Sequence, residues 1–237
     1  MAIIIFGAAG GLGQALTQAL QQSTDETVVA ISRRQPQQQL DGVDYLAVDD
    51  YQSAKLAQWI ADYDATAEPI TGVISTIGVL HDGTIEPEKN LQALAADKLA
   101  HSFYVNASLP LLLLKQFLPK LDRKRTRFWV QLSAKVGSIS DNYLGGWYGY
   151  RASKAALNMM LKSASIELGR THKQLCVAAI HPGTTDTALS KPFQKHVAKD
   201  KLYSPEQSAA RIMAVIAKLS PEQSGKLWHW DGTELPY

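Results

Sequence analysis

Cysteine is nearly absent from this sequence. Cys176 is the single cysteine in a chain of 237 residues, so no disulfide framework can form. Because it lies within the apolar run 175–180, we expect a small buried hydrophobic side chain rather than a reactive thiol. A chain of this length can instead bury a substantial core as one large α/β domain.

Charge of one sign and long apolar runs are also lacking. The chain has 24 Lys and Arg against 22 Asp and Glu, a net charge of +2, which gives no basis for a nucleic acid or an anionic membrane as partner. No basic segment precedes the apolar amino terminus, and no stretch reaches the roughly 18 apolar residues of a spanning helix. We therefore expect a soluble, cytoplasmic protein.

Metal-binding patterns are missing as well. His81, His181 and His229 are isolated in the sequence and lack ligand spacing of the HExxH kind. Such histidines are more often structural than metal-bound. No metal site is predicted.

The sequence does contain a regular alternation of local patterns. Short runs rich in β-branched residues alternate with longer segments of helical period, which is typical of βαβ units. The predicted strands are 2–6, 27–31, 43–47, 71–75, 127–132, 175–180 and 225–230. The predicted helices begin near Gly11, Ser53, Asn90, Ser102, Trp147 and Pro205. We therefore predict an α/β fold: a Rossmann-type doubly wound sheet of about seven parallel strands, in a single domain over residues 1–237.

A glycine-rich motif lies where the first predicted strand meets the first helix. Gly7 permits a tight turn, Gly11 lets the backbone approach a pyrophosphate, and Gly13 allows close helix packing. The free amides of a helix N-terminus attract phosphate groups. The segment therefore predicts dinucleotide binding, with contacts from Gly7, Ala9, Gly10, Gly11, Leu12 and Gly13.

A second motif, YxxxK, places Tyr150 four residues before Lys154. On a helix this spacing brings both side chains to one face. A nearby cation favours the phenolate, so Lys154 is expected to lower the pKa of Tyr150 from its ordinary value of roughly 10. The pair predicts a tyrosine that serves as general acid or base.

The glycine spacing GxxxGxG, followed in order by YxxxK, resembles the short-chain dehydrogenase/reductase family. The resemblance covers nearly the whole chain, and the segments 78–82, 87–89 and 145–148 resemble its C-factor-like subgroup of bacterial cell-signalling proteins. It implies that Asn106 holds a water which links the lysine to solvent. It also implies cofactor contacts after the fourth and sixth strands, from Ser75, Thr76, Ile77, Gly78, Pro182, Gly183, Thr184, Thr185 and Thr187.

The family's catalytic serine is the point at which this sequence departs from the pattern. Aligned on Gly137, the serine position is held by Ala134. Ser133 is one residue early, and a one-residue offset on a strand reverses the face, whereas Ser138 follows the glycine. We predict Ser133 as the polarising residue, with Ser138 or no serine at all as the alternatives.

The end of the second predicted strand bears on the choice of cofactor. An NAD enzyme commonly has Asp or Glu there, whereas a ribose 2′-phosphate needs donors and positive charge. Ser32, Arg33 and Arg34 supply both, so NADP(H) is preferred over NAD(H), and the alternative is two solvated arginines in a surface loop. Asp49 is a weaker candidate for adenine contact, because Ala47 competes for that place.

The sequence also bears on the substrate, the assembly and the activity. Leu189, Phe193 and Val197 recur every fourth residue and predict an amphipathic lid helix within 187–203, or else a surface helix beside the sheet. Apolar helices at 111–114 and 155–161 predict a homodimer or homotetramer, although core burial explains them equally well. Two functions are predicted. The first is an enzyme that reduces a small carbonyl compound or oxidises the corresponding alcohol. The second is an NADP-binding sensor or signalling protein without catalysis.

Overall fold

The structure, a computed structural model, describes residues 1–36 and 38–237. Its main sheet has eight strands in the order β10-β9-β6-β5-β4-β1-β2-β3, and a separate pair is formed by β7 and β8. The strands are β1 (Ala2–Phe6), β2 (Thr27–Ser32), β3 (Val43–Ala47), β4 (Ile70–Ser75), β5 (Phe128–Leu132), β6 (Cys176–His181), β7 (Thr184–Thr185), β8 (Leu202–Tyr203), β9 (Leu227–His229) and β10 (Glu234–Leu235).

The predicted doubly wound fold is confirmed, with one addition. Seven strands of the main sheet are parallel to their neighbours, and the short β10 adds an antiparallel edge against β9. The central strand shows why the sheet is covered on both faces. Ile4 and Phe6 of β1 join one core cluster, and Ile3 and Ile5 join the other, because successive side chains point to opposite faces.

In the described part of the chain, six α-helices cover the two faces of the sheet. They are α1 (Gly11–Ser23), α2 (Ala54–Asp62), α3 (Ala96–Phe103), α4 (Leu109–Phe117), α5 (Tyr148–Leu168) and α6 (Pro205–Ile216). Two predicted starts are wrong. Asn90 caps only a short 3₁₀ turn, and Ser102 lies inside α3, which continues through a π-helical turn, Tyr104–Ser108, into α4.

The segment predicted to hold a lid helix is built differently. Between β7 and β8 the chain forms 3₁₀ turns, Lys191–His196 and Lys199–Lys201, instead of an amphipathic α-helix. The short strands β7 and β8 pair with each other in parallel, so the two ends of the excursion are joined at its base. The apolar residues at every fourth position predicted a helix instead, because the pairing of β7 with β8 joins residues that are distant in the chain.

Two features are absent from the described residues. Among the residues that the structure describes, no helix has both the length and the hydrophobicity needed to cross a bilayer. Within residues 1–36 and 38–237, no three His, Cys, Asp or Glu side chains form a group suited to a metal ion.

Candidate active site

The candidate site lies where the direction of the sheet order reverses. From β1 the chain builds outward through β2 and β3, then crosses back to β4 on the other side of β1. Loops that leave neighbouring strands in opposite directions open a crevice at the carboxyl ends of those strands. The glycine-rich turn after β1 and the segment after β4 therefore lie at its opening.

The glycine-rich turn has the geometry expected of a phosphate cradle. Gly7 adopts a left-handed φ of 78°, and its amide donates to the carbonyl of Ile31 at 2.9 Å. A Cβ atom on Gly13 would collide with the carbonyl oxygen of Gly7 and the backbone of Ala8, so only glycine permits this approach. Helix α1 starts at Gly11, and its N-cap residue Gly10 has no side chain to bind the first amides.

The loop after β6 closes the other side of this cradle. A Cβ atom on Gly11 would lie 3.1 Å from the Cγ2 atom of Thr187, which places the two loops in contact distance. Gly183 has a φ of 79° and approaches the rings of Trp230 and Tyr203. A dinucleotide pyrophosphate binds to the free amides of a helix N-terminus. The start of α1 offers such amides between the glycine-rich turn and the loop after β6, so the residues present fit such a cofactor.

The segment after β4 is tied to the same turn. The Thr76 hydroxyl donates to the carbonyl oxygens of Phe6 and Gly7 at 3.0 and 3.2 Å. Ser75 and Ile77 are buried, and Gly78 faces Lys154, whose Nζ would lie 3.2 Å from a Cβ atom at Gly78. The structure thus brings the first, fourth and sixth strand ends to one place, as the sequence predicts.

Tyr150 and Lys154 lie together on the first turns of α5. The Lys154 Nζ is 5.9 Å from the centre of the Tyr150 ring and donates to the carbonyl of Leu132 at 3.1 Å. Lys154 is buried, whereas Tyr150 is half-buried. The lysine is therefore enclosed near the ends of β4 and β5, beside Gly78 and Leu132, and Tyr150 keeps part of its surface exposed.

Burial sets the protonation of this pair. It raises the pKa of Tyr150 to about 12 and lowers the pKa of Lys154 to about 8. The sequence predicts a lowered pKa for the tyrosine, and the direction is the opposite, because loss of solvent disfavours each charged form. A neutral phenol at physiological pH is the form that can donate a proton.

Asn106 occupies the π-helical turn and is fully buried. Its Oδ1 accepts from the Val79 amide at 2.8 Å, and its Nδ2 donates to the Val79 carbonyl at 2.9 Å and to the Ser153 hydroxyl at 3.0 Å. The side chain thus ties the segment after β4 to the residue beside Lys154. π turns occur often at functional sites.

The predicted serines have other partners. The Ser133 hydroxyl donates to Asn158 at 2.7 Å, one helical turn beyond Lys154. The Ser138 hydroxyl accepts from the Asp141 amide at 3.3 Å and lies 3.4 Å from the Ser140 hydroxyl. Ala134, at the family's serine position, is buried. The choice among Ser133, Ser138 and no serine stays a prediction.

The turn that precedes α5 carries features that sequence reasoning missed. Gly145, Gly146 and Trp147 have φ values of 64°, 62° and 52°, and a left-handed tryptophan costs about 1–2 kcal/mol. The Glu88 carbonyl accepts from the Trp147 amide at 2.6 Å, and its buried carboxylate accepts from the Gly149 amide at 3.0 Å. Two adjacent glycines before the motif were the available signal.

Arg151 is the first variable residue of the YxxxK motif and lies on α5. Its side chain binds the same turn. Its Nε donates to the carbonyls of Gly145 and Gly146 at 3.2 and 3.1 Å. A strained conformation persists only where its surroundings over-determine it. Glu88 and Arg151 together meet that condition.

The end of β2 offers positive charge at the surface. Arg33 and Arg34 are exposed, and the buried Ser32 hydroxyl donates to the Arg34 carbonyl at 2.6 Å. Burial raises the pKa of Tyr51 to about 12, and the nearby charge of Arg33 opposes that shift. Asp49 is exposed one residue beyond the buried Val48.

The segment between β7 and β8 reaches over α5. Phe193 packs against Trp147 with ring centres 5.1 Å apart, and Trp147 packs against Tyr150 at 6.2 Å. His81 contacts Phe193 at 5.6 Å, and its Nε2 lies 3.2 and 3.1 Å from the carbonyls of Ala188 and Leu189. Lys191, Lys195, Lys199 and Lys201 are exposed.

Most of the chain is similar to known proteins. The family model described as short chain dehydrogenase matches residues 1–198. C-signal of Myxococcus xanthus is 33% identical over 139 residues, which cover 59% of this chain and 78% of that protein. For the next three curated relatives, the matches cover 56%, 45% and 59% of their own lengths.

Solved structures show the same fold. Carbonyl reductase Sniffer of D. melanogaster has a TM-score of 0.84 at 23% identity and covers 100% of this chain and 99% of its own. An NADPH-bound carbonyl reductase from chicken fatty liver has a TM-score of 0.83 at 21% identity, with coverage of 100% and 94%.

Proposed function

Because the chain belongs to the short-chain dehydrogenase family, and is thus an NAD(P)-dependent oxidoreductase, we propose that it reduces a small carbonyl compound with NADPH. The observation that carries this proposal is the pairing of the half-buried Tyr150 with the buried Lys154 beside the phosphate cradle. Burial keeps the phenol neutral, and a neutral phenol can protonate a carbonyl oxygen as reduction proceeds.

The proposed reaction divides the work between cofactor and protein. When bound, the nicotinamide supplies hydride to the carbonyl carbon. Tyr150 donates its hydroxyl proton to the carbonyl oxygen, and Lys154 stabilises the phenolate that this donation leaves. Asn106 holds the segment after β4 against α5, and through a water it links Lys154 to solvent so that the proton is restored. Alcohol oxidation uses the same groups in reverse.

The test of this function is NADPH consumption across a panel of aldehydes and ketones, with Tyr150→Phe beside the wild type. Phenylalanine keeps the ring and removes the proton, so we expect kcat to fall by about 100-fold or more. NADPH affinity should change little. Undiminished turnover in the variant would defeat the proposed mechanism.

A serine contribution can be separated in the same assay. Ser133→Ala and Ser138→Ala remove each candidate hydroxyl, and Ala134→Ser restores the family pattern. A loss of carbonyl turnover confined to Ser133→Ala supports our prediction. A loss confined to Ser138→Ala supports the alternative serine. Unchanged rates in both variants mean that no serine contributes and that Tyr150 by itself binds and protonates the carbonyl.

We further propose a preference for NADP(H). The support is the exposed pair Arg33 and Arg34 at the end of β2, since guanidinium groups suit a 2′-phosphate. Replacing both by Ala should weaken NADPH binding at least tenfold more than NADH binding, measured by fluorescence titration. Equal losses for the two cofactors would remove the argument.

One observation favours the second candidate, an NADP-binding sensor. Ala134 holds the family's serine position, and the neighbouring Ser133 hydroxyl is bonded to Asn158. Tight NADPH binding without turnover of any carbonyl in the panel would support the sensor over the enzyme.

We also propose that the protein is a homodimer or homotetramer. Met159 and Ile166 lie seven residues apart on α5 and are 66% and 54% exposed, so the outer face of this helix carries two uncovered apolar side chains that a second copy would bury. Light scattering after size-exclusion chromatography gives the mass. Charged residues at both positions should then yield monomers.

A further inference from the structure

Tyr150 has different neighbours on its two sides. Lys154, one turn later on α5, faces Gly78 in the segment after β4. Trp147, one turn earlier, places its ring 6.2 Å from that of Tyr150 at an interplanar angle of 75°. If the cofactor lies on the Lys154 side, a carbonyl compound reaches the Tyr150 hydroxyl past Trp147.

The position of the Trp147 ring beside Tyr150 depends on an unfavourable backbone conformation. Its φ of 52° lies in the left-handed region, which disfavours any residue with a Cβ atom. Glu88 binds the amides of Trp147 and Gly149, and Arg151 binds the carbonyls of the two preceding glycines. Strain that is maintained from both sides beside a reactive group points to a role for the side chain.

Further aromatic rings extend this surface. Phe193 meets Trp147 at 5.1 Å and 64°, and His81 meets Phe193 at 5.6 Å and 68°. The rings come from separate parts of the chain: the segment after β4, the turn before α5 and the loop between β7 and β8. Trp147, Phe193 and His81 are all half-buried, so each residue keeps part of its surface exposed.

We propose that Trp147 and Phe193 form an aromatic wall that selects carbonyl compounds bearing an aryl group next to the reacting carbon. This inference rests on the proposed carbonyl reduction at Tyr150. Edge-to-face contact with an aromatic ring is favourable beyond simple area burial. Trp147 is the fixed part of the wall, and Phe193 completes it when the 187–203 segment lies over α5.

The test compares acetophenone with cyclohexyl methyl ketone, which are similar in size and differ in aromaticity. We expect wild-type kcat/KM to favour acetophenone, and the ratio to fall about three- to tenfold in Trp147→Leu and in Phe193→Leu. Trp147→Phe keeps a ring and should retain most of the preference. Tyr143→Leu is the matched control, since Tyr143 is 87% exposed in the same loop, and its ratio should not change.

The outcomes separate this inference from the function beneath it. Turnover of neither ketone by the wild type overturns carbonyl reduction itself, and the wall with it. If the wild type reduces both ketones with equal kcat/KM, carbonyl reduction is supported and the aromatic wall is contradicted. The same conclusion follows if the ratio of the two kcat/KM values is unchanged in Trp147→Leu and in Phe193→Leu. Calorimetric affinities of the two ketones for the wild type with NADP⁺ test the wall without any variant, and equal values would contradict it.

Discussion

Two turns at the same edge of the sheet both hold the backbone in left-handed conformations before a helix. The turn at residues 7–13 uses glycine wherever a Cβ atom would collide. The turn at residues 145–147 ends on Trp147, which is not glycine, and depends on Glu88 and Arg151. The close approach at Gly13 is to Gly7 and Ala8 of the same turn, whereas the second turn needs Glu88 from a distant part of the chain. The difference predicts which substitutions damage each turn, and how.

The largest effect is expected at the local turn. Gly13→Val places a side chain against the carbonyl of Gly7 and must displace the phosphate cradle. Loss of two hydrogen bonds to a charged group would weaken NADPH binding about 100-fold or more, measured by fluorescence titration. Gly42→Val is the control: its Cβ atom meets open space, and its φ of 77° makes the valine strained outside the cradle. This control should lose stability and keep its NADPH affinity. Unchanged affinity in Gly13→Val would show that this turn is not the cradle.

A pH profile probes Lys154, which lies between the two turns. Its pKa is lowered to about 8, whereas that of Tyr150 is raised to about 12. Lys154 is therefore cationic below about pH 8 and neutral above it, while the phenol stays protonated throughout. If that cation is required, kcat/KM for reduction should be flat below pH 8 and fall about tenfold per pH unit above it.

The opposite pH dependence would contradict this prediction. A rate of reduction that rises between pH 8 and 10 would mean that the phenolate is the active form. Lys154→Arg keeps its charge across this range, so its profile should lose the alkaline decline. Circular dichroism establishes that the variant is folded.

A smaller effect is expected at the second turn. Glu88→Ala leaves the Gly149 amide without its carboxylate, which should cost about 1–3 kcal/mol of stability and lower kcat about tenfold as the Trp147 ring and the start of α5 shift. NADPH affinity should stay within about twofold. Glu86→Ala, an exposed neighbour, is the control. Equal loss of NADPH affinity and kcat would mean that the two turns are not separable.

The smallest effect compares two open glycines. Gly145 and Gly42 have φ values of 64° and 77°, and a Cβ atom on either meets open space. Gly→Ala at each should lower stability by about 1 kcal/mol, measured by urea unfolding. Carbonyl turnover should fall only in Gly145→Ala, and equal turnover would argue against a functional role for the turn.

Several parts of the fold and site followed from local sequence. The positions of seven strands, the phosphate turn and the spacing of Tyr150 and Lys154 on one helical face were predicted, because each depends on residues close together in the chain. The start of α3 and the 3₁₀ turns of the 187–203 segment were not predicted. There, packing against α5 and the pairing of Thr184–Thr185 with Leu202–Tyr203 outweighed the local period.

By itself, then, the sequence determined a parallel sheet, a glycine turn that only glycine can form, and a phenol and an ammonium on one helical face. The tertiary structure decided the protonation of that pair, since desolvation depends on everything packed around it. It also decided where the Ser133 hydroxyl is bonded, and it placed Glu88 beneath the Trp147 turn. These are contacts between residues distant in the chain, and local pattern carries no information about them.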